Sequence, residues 1–137
     1  MSKYNVLVVD DDLFFIEVIL NPMIPILANQ LMGTSNFLVT TKLAYNGLDG
    51  WETYQKMKPD LVFTDYEMPL MNGAQLLENI YKYEHKPKAS FIVSNSTIEP
   101  IENATKLINK KDVFDLYFEN EKKKLLPHIP QYRSMDF

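Results

Sequence analysis

The chain contains no cysteine. It therefore has no disulfide framework and no thiolate to act as nucleophile or metal ligand. That fits a cytoplasmic setting. Its two histidines, His85 and His128, stand far apart. A zinc centre built on nitrogen and sulfur donors is not expected. No apolar run is long enough for a bilayer. Met1-Ser2-Lys3-Tyr4 leads straight into a strand-like segment, so no signal peptide is expected. There is no internal repeat. Excess positive charge is also missing. The net charge is −4, which argues against a nucleic-acid partner.

That charge is uneven. Residues 1–80 carry −6 and residues 81–137 carry +2. The acidic half holds clustered carboxylates, and the mildly basic half is a candidate partner surface. With 137 residues, 46% of them apolar, the chain suits one domain with a real core. The expected core spans residues 3–126, followed by a short proline-containing tail over 127–137.

Five segments read as strands. Asn5 to Val9, Leu61 to Phe63 and Ala89 to Val93 are short, nearly continuous apolar runs, as in strands buried on both faces. Phe37 to Ala44 is more polar, and Val113 to Phe118 reads as the fifth strand. Helical patterns lie between them. Leu13 to Met32 is interrupted by Pro22 and Pro25, which predict a break within 20–25. Leu48 to Met57, Ala74 to Tyr83 and Ile98 to Asn109 follow, with a short last helix ending near Leu126. Alternation of strand and helix predicts an α/β fold: one doubly wound, five-stranded parallel sheet with helices on both faces.

Carboxylates collect at the strand ends. Asp10-Asp11-Asp12 follows the first strand and Asp65 the third, while Ser94 follows the fourth. In a parallel sheet these ends share one rim, where ligands bind in such folds. Asp12 is also a plausible helix cap. Two carboxylates ~4 Å apart repel by about 4 kcal/mol at an effective dielectric of about 20. A hard divalent cation relieves that repulsion, and an all-oxygen donor set favours Mg²⁺, Mn²⁺ or Ca²⁺ over zinc.

These residues resemble the receiver domain of two-component response regulators. The matching stretches are Val6 to Asp12, Asn46-Gly47, Pro59 to Gly73 and Phe91 to Ser94, over roughly residues 3–118. The Met68-Pro69-Leu70-Met71-Asn72-Gly73 segment is the most specific. The resemblance implies a flavodoxin-like strand order of 2-1-3-4-5. It implies that Asp65 accepts a phosphoryl group from a histidine kinase or phosphotransfer protein. Asp10, Asp11, Asp65 and the Glu67 backbone carbonyl would hold Mg²⁺ or Mn²⁺, and Ser94 would hydrogen-bond the phosphoryl group. It also implies self-phosphorylation and autodephosphorylation at Asp65, with no separate substrate turnover. Output would pass through a downstream protein, without membrane insertion.

The family usually ends its fifth strand in Lys-Pro. A strand over 113–118 puts Glu119 and Asn120 there, with Leu116 and Tyr117 near the position of a switching aromatic. Asn95 stands where a small residue normally follows the hydroxyl. The main expectation is a stand-alone phosphorylatable receiver. The alternative is a degenerate receiver acting as a phosphorylation-independent interaction module. A haloacid-dehalogenase-type phosphatase is allowed by Asp10-x-Asp12, but its downstream lysine and acidic pair are missing.

Overall fold

The computed structural model describes residues 2–95 and 99–128. The strands are β1 (Lys3–Val9), β2 (Leu38–Ala44), β3 (Leu61–Thr64), β4 (Ala89–Ser94) and β5 (Lys106–Asn109). All pair in parallel, in the order β2-β1-β3-β4-β5. This is the flavodoxin-like arrangement expected from the sequence. β3 and β4 are buried throughout, and β2 alternates as an edge strand with one covered face does.

The helices are α1 (Asn21–Leu31), α2 (Gly47–Met57), α3 (Gly73–Lys82) and α4 (Lys110–Leu125). Alternate strand residues divide the core in two. Val6, Val8, Phe63, Phe91 and Val93 meet the first helix and α4. Leu7, Val9, Val62 and Ile92 meet α2 and α3 on the other face.

The prolines of the first helix do not end it. A π-helical turn, Phe15–Leu20, runs directly into α1. Pro22 and Pro25 lack the N–H groups that the carbonyls four residues earlier would accept in an α-helix. The chain meets this with a change of register, and the Asn21 N–H bonds back to Ile16. So the expected break is a register change at Leu20–Asn21. Asn29 then secures the turn after α1, bonding the Pro25 carbonyl, Thr34 and the Phe37 backbone.

The C-terminal third departs from the sequence reading. Residues 99–105 form a loop in place of the expected helix over 98–109, and β5 is Lys106–Asn109. Residues 113–118 are not a strand but the middle of α4, the longest helix described. Two features explain this. Asn103 takes a left-handed φ of 73°, which no helix continues through. Lys110, Val113, Phe114 and Tyr117 have helical spacing and turn inward together, with Lys110 and Val113 buried. Ile98 and the tail beyond His128 lie outside the described residues, as does most of the expected 127–137 segment.

Candidate functional site

β1 and β3 pair with Val9 opposite Thr64, so Asp10 and Asp65 follow side by side on neighbouring strands. The Asp65 N–H donates to the Val9 carbonyl, and the Asp10 N–H to that of Ala44. Asp10 and Asp65 are buried, whereas Asp11 is exposed. Oxygens of all three carboxylates lie within 4.8 Å of one another.

Backbone amides hold the two buried carboxylates. Asp10 Oδ1 accepts from the Asp12 N–H at 2.9 Å, and Asp65 Oδ1 from the Tyr66 N–H at 2.8 Å. Asp12 itself caps the first helix by accepting from the Phe15 N–H at 3.1 Å. Its role is therefore the capping one. The loop after β3 is seated by glycine contacts. A Cβ on Gly73 would stand 2.3 Å from the Asp65 carbonyl oxygen, and one on Gly47 would overlap Met71. The Gly73 N–H also donates to the Tyr66 carbonyl at 2.7 Å.

The residue that sequence reasoning missed is Lys110. It follows β5 directly, as the first residue of α4, with Asn109 capping that helix through the Lys111 N–H. Its ammonium lies 2.9 Å from Asp10 Oδ2 and 3.4 Å from Asp65 Oδ2, and all three side chains are at most 11% exposed. The signal was present: an apolar pair, Leu107-Ile108, then Asn109 and a lysine that opens a helical pattern.

Glu119, Leu116 and Tyr117 all lie on α4 rather than at a strand end. Glu119 is exposed; Leu116 and Tyr117 pack against the core on the face that carries the first helix. Ser94 ends β4 on the same rim as Asp65 and is buried, with exposed Asn95 next to it. Glu67 is exposed in the loop after β3.

Burial sets the electrostatics. It pushes the Asp65 carboxyl up to about 6, reinforced by the charge of Asp10 and opposed by Lys110. Burial raises Asp10 as well, against the Asp12 amide and Lys110. Burial alone would lower Lys110, but Asp10 and Asp65 outweigh it and hold the ammonium charged. The donor set suits a hard cation. It is all oxygen, and Asp10 Oδ2 is a buried atom with an ion-pair neighbour but no aligned hydrogen bond among the described residues.

The family model of the response regulator receiver domain matches residues 6–114. The chemotaxis protein CheY of Treponema pallidum is 32% identical over 105 residues, covering 75% of this chain and 66% of that protein. A protein-glutamate methylesterase/protein-glutamine glutaminase of Geobacillus kaustophilus is 34% identical over 103 residues, covering 75% of this chain but 26% of that protein. Another, of Methanococcus maripaludis, is matched over only 21% of its length, at 29% identity across 64% of this chain. So the chain spans less than two thirds of each of these relatives. Among solved structures, the response regulator domain of Thermotoga maritima CheB superposes with a TM-score of 0.59 at 26% identity, covering 99% of this chain and 100% of that one. Among the described residues, no helix is long and apolar enough to cross a membrane. With strand order, acidic rim and family model in agreement, the chain belongs to the response regulator receiver domains of two-component signalling.

Proposed function

We propose that Asp65 is the phosphoacceptor of a signalling receiver, charged by a histidine kinase or phosphotransfer protein. The observation that carries this reading is the buried Asp10–Lys110–Asp65 arrangement. A buried lysine between two carboxylates is a costly arrangement to keep for stability alone. It suits a site that must neutralise an incoming phosphoryl group.

In this reading an Asp65 oxygen attacks phosphorus in line with the donor bond. The new O–P bond forms an acyl phosphate, and the donor leaves with the electron pair of the broken bond. Lys110 faces the developing charge, and Ser94 donates its hydroxyl to a phosphoryl oxygen. Asp10, Asp11, Asp65 and the Glu67 carbonyl would hold Mg²⁺ or Mn²⁺, which when bound neutralises charge on the phosphoryl oxygens. Water attack on the acyl phosphate restores the Asp65 carboxylate and releases inorganic phosphate. Cytoplasmic action and output through contact with a downstream protein belong to the same proposal.

The degenerate-receiver alternative drew its support from Glu119 standing at the lysine position. Lys110, directly after β5 and 3.4 Å from Asp65, favours the phosphorylatable reading over it. The test is an amide NMR titration of the full chain with beryllofluoride and Mg²⁺, with Asp65→Asn as control. Beryllofluoride on a carboxylate stands in for the acyl phosphate. Mg²⁺-dependent shifts near Asp65, Ser94 and Lys110 that vanish in Asp65→Asn are expected. Mg²⁺ shifts without any beryllofluoride response would overturn the proposal.

A further inference from the structure

Phe15 stands one turn into the first helix, with its ring 1% exposed. The Lys110 ammonium lies 4.5 Å from the centroid of that ring. We propose that Phe15 is a positioning residue for phosphoryl transfer: its ring face keeps the Lys110 ammonium aimed at Asp65 while the neighbouring carboxylates are engaged elsewhere. The proposal rests on Asp65 being the phosphoacceptor.

Among the described residues, three groups hold the lysine. Its contacts are Asp10 at 2.9 Å, Asp65 at 3.4 Å and the Phe15 ring. Both carboxylates belong to the donor set that suits a divalent cation. Conversion of Asp65 to an acyl phosphate also removes its own carboxylate charge. Both ion pairs are therefore weakened in the states that matter for transfer. The ring is untouched by either event. Its negative face attracts a cation, and most strongly where water is excluded.

The ring is itself fixed. Asp12 caps its helix through the Phe15 N–H. Phe114 packs against it with centroids 5.4 Å apart and the planes tilted by 52°. Lys110 and Phe114 are one turn apart on α4, so the same helix that supplies the ammonium also braces the ring beneath it. An aliphatic side chain would fill the space but would present no charge complement to the lysine.

The experiment replaces Phe15 in the full chain with 4-fluoro-, 3,5-difluoro- and 3,4,5-trifluorophenylalanine. Fluorine withdraws charge from the ring face while nearly preserving its shape. Beryllofluoride affinity is measured at saturating Mg²⁺, alongside Mg²⁺ affinity alone, thermal unfolding, and KM and kcat for phosphorylation by acetyl phosphate. Phe15→Leu is the aliphatic control. Beryllofluoride affinity is expected to fall stepwise with fluorination, reaching a loss on the order of three- to thirtyfold in Phe15→Leu. Mg²⁺ affinity should not fall. A flat affinity across the fluorinated series, with the parent chain binding normally, would overturn the proposal alone. So would a loss that only follows the unfolding temperature. No beryllofluoride binding by the parent chain would instead overturn the phosphoacceptor reading, and this proposal with it.

Discussion

Lys110 Nζ lies 2.9 Å from Asp10 Oδ2, and both groups are buried. This pair closes the acidic rim from the side of β5. Removing one member of such a pair leaves the other's charge without compensation. Lys110→Ala should therefore destabilise the chain by about 3 kcal/mol in chelator, with proton uptake by the carboxylates limiting the loss. Added Mg²⁺ should restore part of it, because a cation that binds only the folded state stabilises that state. Urea unfolding with EDTA and with Mg²⁺ measures both effects. Equal stability of parent and variant in EDTA would contradict this account of the pair.

Glu119→Lys tests the same assignment from the other side. Glu119 is exposed on α4, away from any strand end. The substitution should change stability by no more than about 0.5 kcal/mol, as surface changes generally do. It should also leave the lifetime of phosphorylated Asp65 unchanged. A longer lifetime would mean that this residue faces the phosphoryl group after all.

Asp65 gives a pH dependence with a definite sign. Its carboxyl is raised from 3.8 to about 6 on folding, chiefly by burial. The native state thus holds this proton more tightly than the unfolded chain does. The associated stability is fully present below about 3.8 and is lost as pH rises to about 6. Above that range the ionised group is a liability in metal-free protein. Asp65→Asn should therefore stabilise metal-free protein by about 1–2 kcal/mol at pH 7.5, allowing for partial solvent screening, and by little near pH 4. Denaturant midpoints across that range provide the measurement. A gain that does not shrink on acidification would show that ionisation is not its origin.

Much of this site was legible in the sequence because buried strands leave a strong trace. Val6 to Val9 and Leu61 to Phe63 are continuous apolar runs, each followed by a carboxylate. That fixes Asp10 and Asp65 on one rim once the strands are parallel. The C-terminal third gave a weaker trace. β5 is a four-residue edge strand with polar ends, and its apolar content is one pair, Leu107-Ile108. Such a pair also fits a helical pattern with Ile101 and Ala104. The denser apolar segment, Val113 to Phe118, has strand-like composition. Only the spacing from Lys110 to Tyr117 marks it as a helix face, and that spacing begins with a charged residue. The lysine was hidden because its burial depends on carboxylates distant in sequence.

The loop over residues 99–105 does the work of the expected helix with polar contacts. Ser90 Oγ donates to the Asn103 carbonyl at 2.5 Å and sits 3.0 Å from the Tyr81 hydroxyl. The Thr105 hydroxyl accepts from the Ser90 N–H at 3.0 Å, and the Thr105 N–H returns a bond to the Ser90 carbonyl at 2.7 Å. These bonds tie β4, α3 and the loop together beneath β5. Ser90→Ala should cost about 1–2 kcal/mol, because it leaves the half-buried Asn103 carbonyl and the Tyr81 hydroxyl without this partner. Tyr81→Phe should cost about 1 kcal/mol, since Ser90 keeps its bond to Asn103. The site itself should survive both changes. β4 enters the rim through Ser94, four residues beyond Ser90, and the Lys110 pairs are made at the opposite end of β5 from Thr105. The expected pattern is lower denaturant midpoints with faster amide exchange over 101–108, while Mg²⁺ affinity is retained. Loss of Mg²⁺ binding in folded Ser90→Ala would instead mean that this loop holds the acidic rim in place.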